Sequence, residues 1–217
     1  MTISSEKYKQ LSIKEFNKAA EKYESDEAGI YKLCKEDYLP ILDEIKKIEF
    51  ETLLDAGCGT APMASLLKEA YPNKKYTGID LSEKMIEKAK EKNLENTEFM
   101  VGDCENLPFE EGSFDVVINS QSFHHYPNPQ NFFNSVYKVL KPGGRLILRD
   151  NTSNGVLRWI INYIEIPLFN LTGHGDVKIY SIEQVKEFCK NANLEVETIQ
   201  KQKHFRLHLV AVKKDKN

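Results

Sequence analysis

Residues 53–67, LLDAGCGTAPMASLL, constrain this chain more than any other stretch. An apolar run ends in an acid, Asp55. Gly57 and Gly59 follow at a spacing that lets the backbone turn sharply and come close to a ligand. Met63, Leu66, Leu67 and Ala70 then recur at helical spacing, with Pro62 in the first helical turn, where its missing N–H costs nothing. A strand feeding a helix through a glycine turn is the nucleotide-binding corner of a doubly wound α/β sheet.

The rest of the chain supplies the other walls of that corner. Ile13, Phe16, Ala20 and Tyr23 share one helical face, and Tyr31, Cys34, Tyr38, Ile41, Leu42 and Ile45 another, with Gly29 near the break. Both faces are expected mainly to cover the sheet. Strands are predicted over 52–56, 76–80, 97–102, 114–119 and 145–149, with a loop up to Lys75. Ser82 caps the next helix, whose inner face is Met85, Ile86 and Ala89. FDVVIN at 114–119 is almost continuously apolar, as a central parallel strand requires. Asn128 and Pro129 open a helix with Phe132, Phe133, Val136 and Val139 inward, and Lys141-Pro142-Gly143-Gly144 reads as a turn. Asp55, Asp80, Asp103, Asn119 and Asp150 then fall at the carboxyl ends of five strands, the edge where such sheets bind ligands.

An apolar insertion at 151–180, containing WIINYIEIPLFNL, is expected over the mouth of the site. Ser181 and Gln184 form a capping box for a last helix, and strands at 194–200 and 205–212 close the chain as a hairpin before a disordered KKDKN tail. The expected organisation is a single domain over 1–217. It comprises an N-terminal helical cap (1–48), a ligand-binding core (49–150), a lid insertion (151–180), and a closing helix and hairpin (181–217).

Composition narrows the function. The net charge is −3, with 29% charged residues and no polybasic block, which argues against a nucleic-acid partner. The first ten residues lack the apolar core of a signal peptide, and no apolar run nears the roughly 20 residues of a membrane span. Cys34, Cys58, Cys104 and Cys189 are scattered, with no CxxC pair. They point to a reducing, cytoplasmic setting and away from zinc or a disulfide framework.

Three features separate possible ligands. An acid such as Asp80 at the end of the second strand suits a ribose diol whichever nucleotide carries it. The dinucleotide fingerprint, however, wants a third glycine where this chain has Pro62. Asp55, just before the glycines, repels a pyrophosphate and suits a cationic amino group. Asp103, ending the third strand, is placed to accept from an adenine amino group. Adenine, ribose diol and amino group without phosphates describe S-adenosylmethionine. An NAD(P)-dependent oxidoreductase is the rival that Pro62 and Asp55 disfavour. A methyltransferase-like protein that binds without catalysis is a second alternative.

The chain resembles the class I S-adenosylmethionine-dependent methyltransferases of the ubiquinone/menaquinone-biosynthesis-like group (methyltransferase domain 11-type). LLDAGCGT resembles that family's first motif, GIDLSEKMIEKAK its second, VGDCENLPFEEGSFDVVINSQSFHH its third and fourth, and VLKPGGRLIL its last. FNKAAEKYE resembles its N-terminal FDxxAxxYD, with Asn17 and Glu24 standing in for the acids; Ala61 replaces a frequent third glycine. The resemblance implies a Rossmann-like seven-stranded sheet of order 3-2-1-4-5-7-6 with strand 7 antiparallel. It also implies cofactor contacts. Asp55, Gly57, Cys58 and Gly59 would lie at the methionine end, Asp80 and Leu81 at the ribose, and Met85, Gly102, Asp103 and Cys104 around the adenine. Asn119 and Ser120 would approach the amino acid part, and Tyr23 would close the site.

Methyl transfer from a sulfonium asks the protein chiefly to position and desolvate. A base is needed only for a nucleophile that must lose a proton. His124, His125, Tyr126, Arg149, Asp150 and His174 are the candidates, with His125 preferred. No metal is expected, because adjacent histidines without a nearby carboxylate make a poor site. The apolar insertion around Trp159 and Phe169 suggests a small hydrophobic acceptor; a dimer interface or a buried lid helix would give the same pattern. The protein is expected to be a monomer or homodimer.

Overall fold

The structure, a computed structural model, describes residues 4–25 and 34–214. Gly29 and Tyr31, and residues 215–217 of the tail, lie outside the described residues. The strands are β1 (Thr52–Ala56), β2 (Lys75–Asp80), β3 (Thr97–Val101), β4 (Phe114–Ser120), β5 (Leu140–Asn151), β6 (Leu194–Lys201) and β7 (Arg206–Lys213). They form one sheet in the order β3-β2-β1-β4-β5-β7-β6. β1 to β5 pair in parallel, and β7 runs antiparallel between β5 and β6, the arrangement that the resemblance implies.

Helices cover both faces because successive residues of the central strands point opposite ways. Leu54, Val117, Leu146 and Leu148 pack on one side with Phe132, Phe133, Val136 and Val139 of α5 (Pro129–Val139) and Val185 and Cys189 of α8 (Ile182–Asn191). Leu53, Val116, Ile118 and Ile147 pack on the other with Ile41 and Ile45 of α2 (Tyr38–Ile45) and Met63 and Leu67 of α3 (Pro62–Ala70). Burying each such side chain stabilises the fold by about 1.5–3 kcal/mol. α4 (Glu83–Glu91) is capped by Ser82, whose hydroxyl accepts from the Met85 N–H at 3.1 Å, and the Ser181–Gln184 capping box opens α8.

Three expectations need correction. Lys75 belongs to β2, not to the preceding loop. Residues 141–144 are not a free turn but part of β5. The ladder pairs Phe114 with Leu140, skips, and resumes at Val116 with Arg145. Gly144 is needed there, since a Cβ would sit 2.8 Å from the Lys141 carbonyl oxygen. The last strand starts at Arg206 rather than Phe205 and includes Lys213 of the supposed tail.

The insertion forms α6 (Gly155–Ile160), a π-helical turn (Ile161–Glu165) and α7 (Ile166–Leu171). It is not a buried lid helix: Trp159, Tyr163 and Phe169 are 55%, 60% and 52% exposed. What reaches the ligand edge of the sheet is the segment after α7. There the Gly175 backbone lies so close to α1 (Ser5–Ala19) that an added Cβ would fall 2.5 Å from the Ser12 Cα.

Beneath this edge, the buried Asp37 carboxylate accepts from Arg149 Nε at 2.9 Å and from Gln121 Nε2 at 2.6 Å, with Arg206 Nε at 3.7 Å. Removing one partner of a buried ion pair leaves the other charge uncompensated. Asp37→Ala is expected to cost about 3–5 kcal/mol in urea denaturation. Lys46→Ala, at an exposed pair with Asp43, should leave the midpoint unchanged.

Candidate functional site

The glycine turn is stitched to the neighbouring strand. The Gly57 and Cys58 N–H groups both donate to the Ile79 carbonyl, at 2.8 and 3.0 Å. Gly57 sits at φ +80°, and a Cβ there would lie 2.1 Å from the Ser122 hydroxyl, so no other residue fits. Asp80 spans the gap. Its Oδ2 accepts from the Gly59 N–H at 3.0 Å and its Oδ1 from the Ser82 N–H at 2.9 Å. Ala61 adopts φ +62° at the start of α3.

This turn floors a cavity of about 820 Å³, its open mouth included. Of the residues singled out in the sequence, Tyr23, Asp55, Gly57, Cys58, Gly59, Asp80, Leu81, Met85, Cys104, Ser120 and His125 line it. Gly102, Asp103 and Asn119 do not. Gly102 packs on Ile79, where a Cβ would meet its Cδ1 at 2.6 Å. Asp103 turns its carboxylate to the Glu105 N–H (2.9 Å) and the Lys9 ammonium (2.6 Å). Asn119 is fully buried behind the floor, donating to the Ala56 carbonyl at 2.7 Å and the Tyr126 hydroxyl at 3.0 Å.

Sequence reasoning missed Ser12, Tyr38, Gln121 and Ser122, which also line the cavity, and misjudged Ile13 and Phe16. The α1 face was expected to cover the sheet; instead Ile13 and Phe16 wall the cavity, and Phe16 meets the His125 ring edge-on at 5.0 Å. α1 is held in place by Lys9, which also pairs with Glu105 at 2.6 Å, and by Asn17, whose Oδ1 accepts from the Ser82 hydroxyl at 2.7 Å.

Three polar atoms at the floor, Asp55 Oδ2, Asn119 Oδ1 and Ser120 Oγ, are buried without a hydrogen-bond partner. A native structure keeps such atoms for a reason, and here they lie at or just behind a cavity surface. Burial, with Asp80 close by, pushes the Asp55 carboxyl up to about 7. Burial also raises Asp80, against the lowering effect of its two backbone N–H donors. Burial pushes the Cys58 and Cys104 thiols up, so neither is a thiolate nucleophile near neutral pH. The donor set suits a ligand with an amino group and a diol: unpaired acceptors at the floor, a second-strand carboxylate, and backbone exposed at the two glycines.

At the mouth, His124 and His125 follow β4 directly. His124 Nδ1 meets Asp150 Oδ1 at 2.7 Å, and its own N–H donates to Asp150 Oδ2 at 3.2 Å. Burial opposes protonation of His124, but Asp150 prevails and raises it to about 9. His125 moves the other way, lowered by burial and by its charged neighbour, so it is neutral near pH 7. The premise that no carboxylate lies near the pair is overturned: Asp150 and Asp176 both face it. Of the other base candidates, Tyr126 lines the cavity, Arg149 is committed to Asp37, and His174 pairs with Glu15 at 2.7 Å.

A seven-stranded sheet of this order, with a glycine turn after its first strand and an acid after its second, defines the Rossmann-like class of α/β proteins. Residues 54–148, somewhat under half of the chain, match the sequence model of the methyltransferase domain. It is 39% identical over 122 residues to a phthiotriol/phenolphthiotriol dimycocerosates methyltransferase of Mycobacterium leprae, covering 55% of this chain and 45% of that one. It is 38% identical over 108 residues to a demethylmenaquinone methyltransferase of Thermotoga maritima, covering 50% and 47%. The chain thus spans just under half the length of these curated relatives. A solved protein of Pyrococcus horikoshii OT3 superposes with a TM-score of 0.70 at 26% identity, over 88% of this chain and 93% of that one. A SAM-dependent methyltransferase of Aquifex aeolicus shares the fold, with a TM-score of 0.64 at 21% identity over 82% and 89%.

The raised Asp55 has a cost that can be measured. Its folded-state value of about 7 exceeds the ordinary 3.8, so stability is full below about pH 4 and falls as pH rises to about 7. Asp55→Asn removes that fall. The variant's advantage in thermal melting of the ligand-free protein should grow from pH 4 to pH 8, reaching several kcal/mol. A constant difference between the two proteins would contradict the assignment.

Proposed function

We propose that the chain is an S-adenosylmethionine-dependent methyltransferase acting on a small-molecule acceptor. The observation that carries this reading is the buried, unpartnered Asp55 Oδ2 at the floor of a turn that lacks the pyrophosphate glycine. In this reading Asp55, Gly57, Cys58 and Gly59 hold the methionine end, with Ser120 beside it and Asn119 fixing the floor from behind. Asp80 takes the ribose hydroxyls with Leu81 alongside. Met85 and the Cys104 backbone flank the adenine, Gly102 and Asp103 shape the loop beneath it, and Tyr23 closes the cavity. The bound cofactor supplies an electrophilic methyl group.

What the protein adds is position, dryness and a proton acceptor. α1 and the segment after α7 meet beside the mouth and narrow water's access to it, which strengthens charge interactions within. His125 lines the cavity and is neutral near pH 7, the form able to take a proton from an acceptor hydroxyl. Ile13 and Phe16 give that end of the cavity an apolar wall, which supports an acceptor with apolar character. The relatives named for lipid and quinone substrates are in keeping with this. No helix among the described residues is long and apolar enough to cross a membrane. With four free, buried cysteines, we place the protein in the cytoplasm, as a monomer or homodimer.

Calorimetry tests the reading directly. S-adenosylmethionine and its demethylated product should each bind at one site, and NADH should not. Asp80→Ala removes a carboxylate acceptor worth about 1.5–3 kcal/mol per charge-assisted hydrogen bond, so affinity should fall roughly 100-fold. Unchanged affinity would refute the placement. Binding of the cationic amino group favours ionised Asp55, so affinity should weaken as pH falls below about 7. In Asp55→Asn that pH dependence should vanish.

A further inference from the structure

His124, His125 and Asp176 bring three donor atoms to one point, all within 4.8 Å of one another. We propose that they form a binding site for a single divalent transition-metal ion, beside the cavity whose wall His125 joins. The inference does not rest on the methyl-transfer reading.

The geometry argues against the plain alternative, two imidazoles hydrogen-bonded to a carboxylate. His124 Nε2 lies 3.4 Å and His125 Nδ1 3.6 Å from the same oxygen, Asp176 Oδ1. Good N–H···O bonds fall at about 2.7–3.2 Å, and these are longer. Donors about 2.0–2.1 Å from a shared tetrahedral ion stand roughly 3.4 Å apart, close to what is seen. His125 Nδ1 is buried with no hydrogen-bond partner, so nothing else among the described residues claims it.

Both rings are also held from behind. The far nitrogen of His124 is fixed by Asp150 at 2.7 Å, and His125 is bonded to the Gly175 backbone. A carboxylate or carbonyl on the remote ring nitrogen is the usual means of orienting a metal-binding imidazole. Asp150, Asp176 and Glu15 bring negative charge to the pair, which a cation would balance. Two imidazoles and one carboxylate suit zinc and its neighbours, whereas magnesium and calcium prefer oxygen throughout. Three protein donors leave a position open for water or for an oxygen of the acceptor, but the ion takes the His125 Nδ1 lone pair, so a metal-loaded site and His125 as proton acceptor exclude one another. An ion there would also fasten the segment after α7 to the turn after β4.

The full chain, treated with chelator, would be titrated with Co²⁺ and then Zn²⁺, following visible d–d absorption and heat. One equivalent of Co²⁺ should bind with four-coordinate absorption and be displaced by Zn²⁺. Asp176→Asn and His125→Gln should each weaken Co²⁺ at least tenfold, while His204→Gln, at an exposed histidine, should not. Far-UV circular dichroism checks the fold; should His125→Gln fail it, the partly exposed Asp176→Asn decides alone. No stoichiometric Co²⁺ binding, thiolate charge-transfer bands, or an Asp176→Asn variant that binds like the parent would overturn the proposal.

Discussion

One carboxylate holds the ligand edge together. Asp80 presents a half-buried carboxylate at the end of β2, and each of its oxygens takes a backbone N–H from a different loop. One loop is the glycine turn after β1, the other the entry to α4. With the Ile79 carbonyl taking two further N–H groups, β1 and β2 end as one rigid unit. A charge-assisted acceptor can do this because carboxylate oxygens have lone pairs to spare after one hydrogen bond each. The same group that fixes the loops can therefore still face a ligand.

The second constraint comes from the chain's beginning. α1 crosses the carboxyl ends of the strands and is tied down at three places. Lys9 reaches Asp103 and Glu105, Asn17 reaches Ser82, and Glu15 takes the His174 ring and the Gly175 N–H. These are polar contacts over a cavity rather than apolar packing, which marks this helix as the part of the site easiest to lift. Asp103 has a partner in the protein already, whereas Asp55 has an oxygen with none.

Much of this was readable from the sequence, for physical reasons. Alternating strand and helix signals implied a parallel sheet with helices on both faces; its strand order came from the motif resemblance alone. Asp55, Gly57, Gly59 and Asp80 were legible because their spacing along one strand–turn–helix unit leaves them few places to go. Capping residues are local, so Ser82 and Ser181 were found. What was missed depends on contacts between distant segments. Lys9 as the partner of Asp103 carries no local signal, nor does Asp176 as the neighbour of His124. The Pro-Gly-Gly stretch at 142–144 looked like a turn because its composition is that of one; the sheet absorbed it as a bulge. α1 shows the same limit. Its apolar face was visible, but periodicity does not tell a face that fills a core from one that walls a cavity.

The Glu15–Gly175 contact has a consequence for how the chain assembles. Those residues are 160 positions apart. A contact of that span meets its loop-closure entropy only after the intervening sheet has formed. During synthesis, the central strands can pair while the chamber above them stands roofless. Its enclosure awaits the last third of the polypeptide, so competence to retain a small guest should arrive late, after most of the fold is already in place.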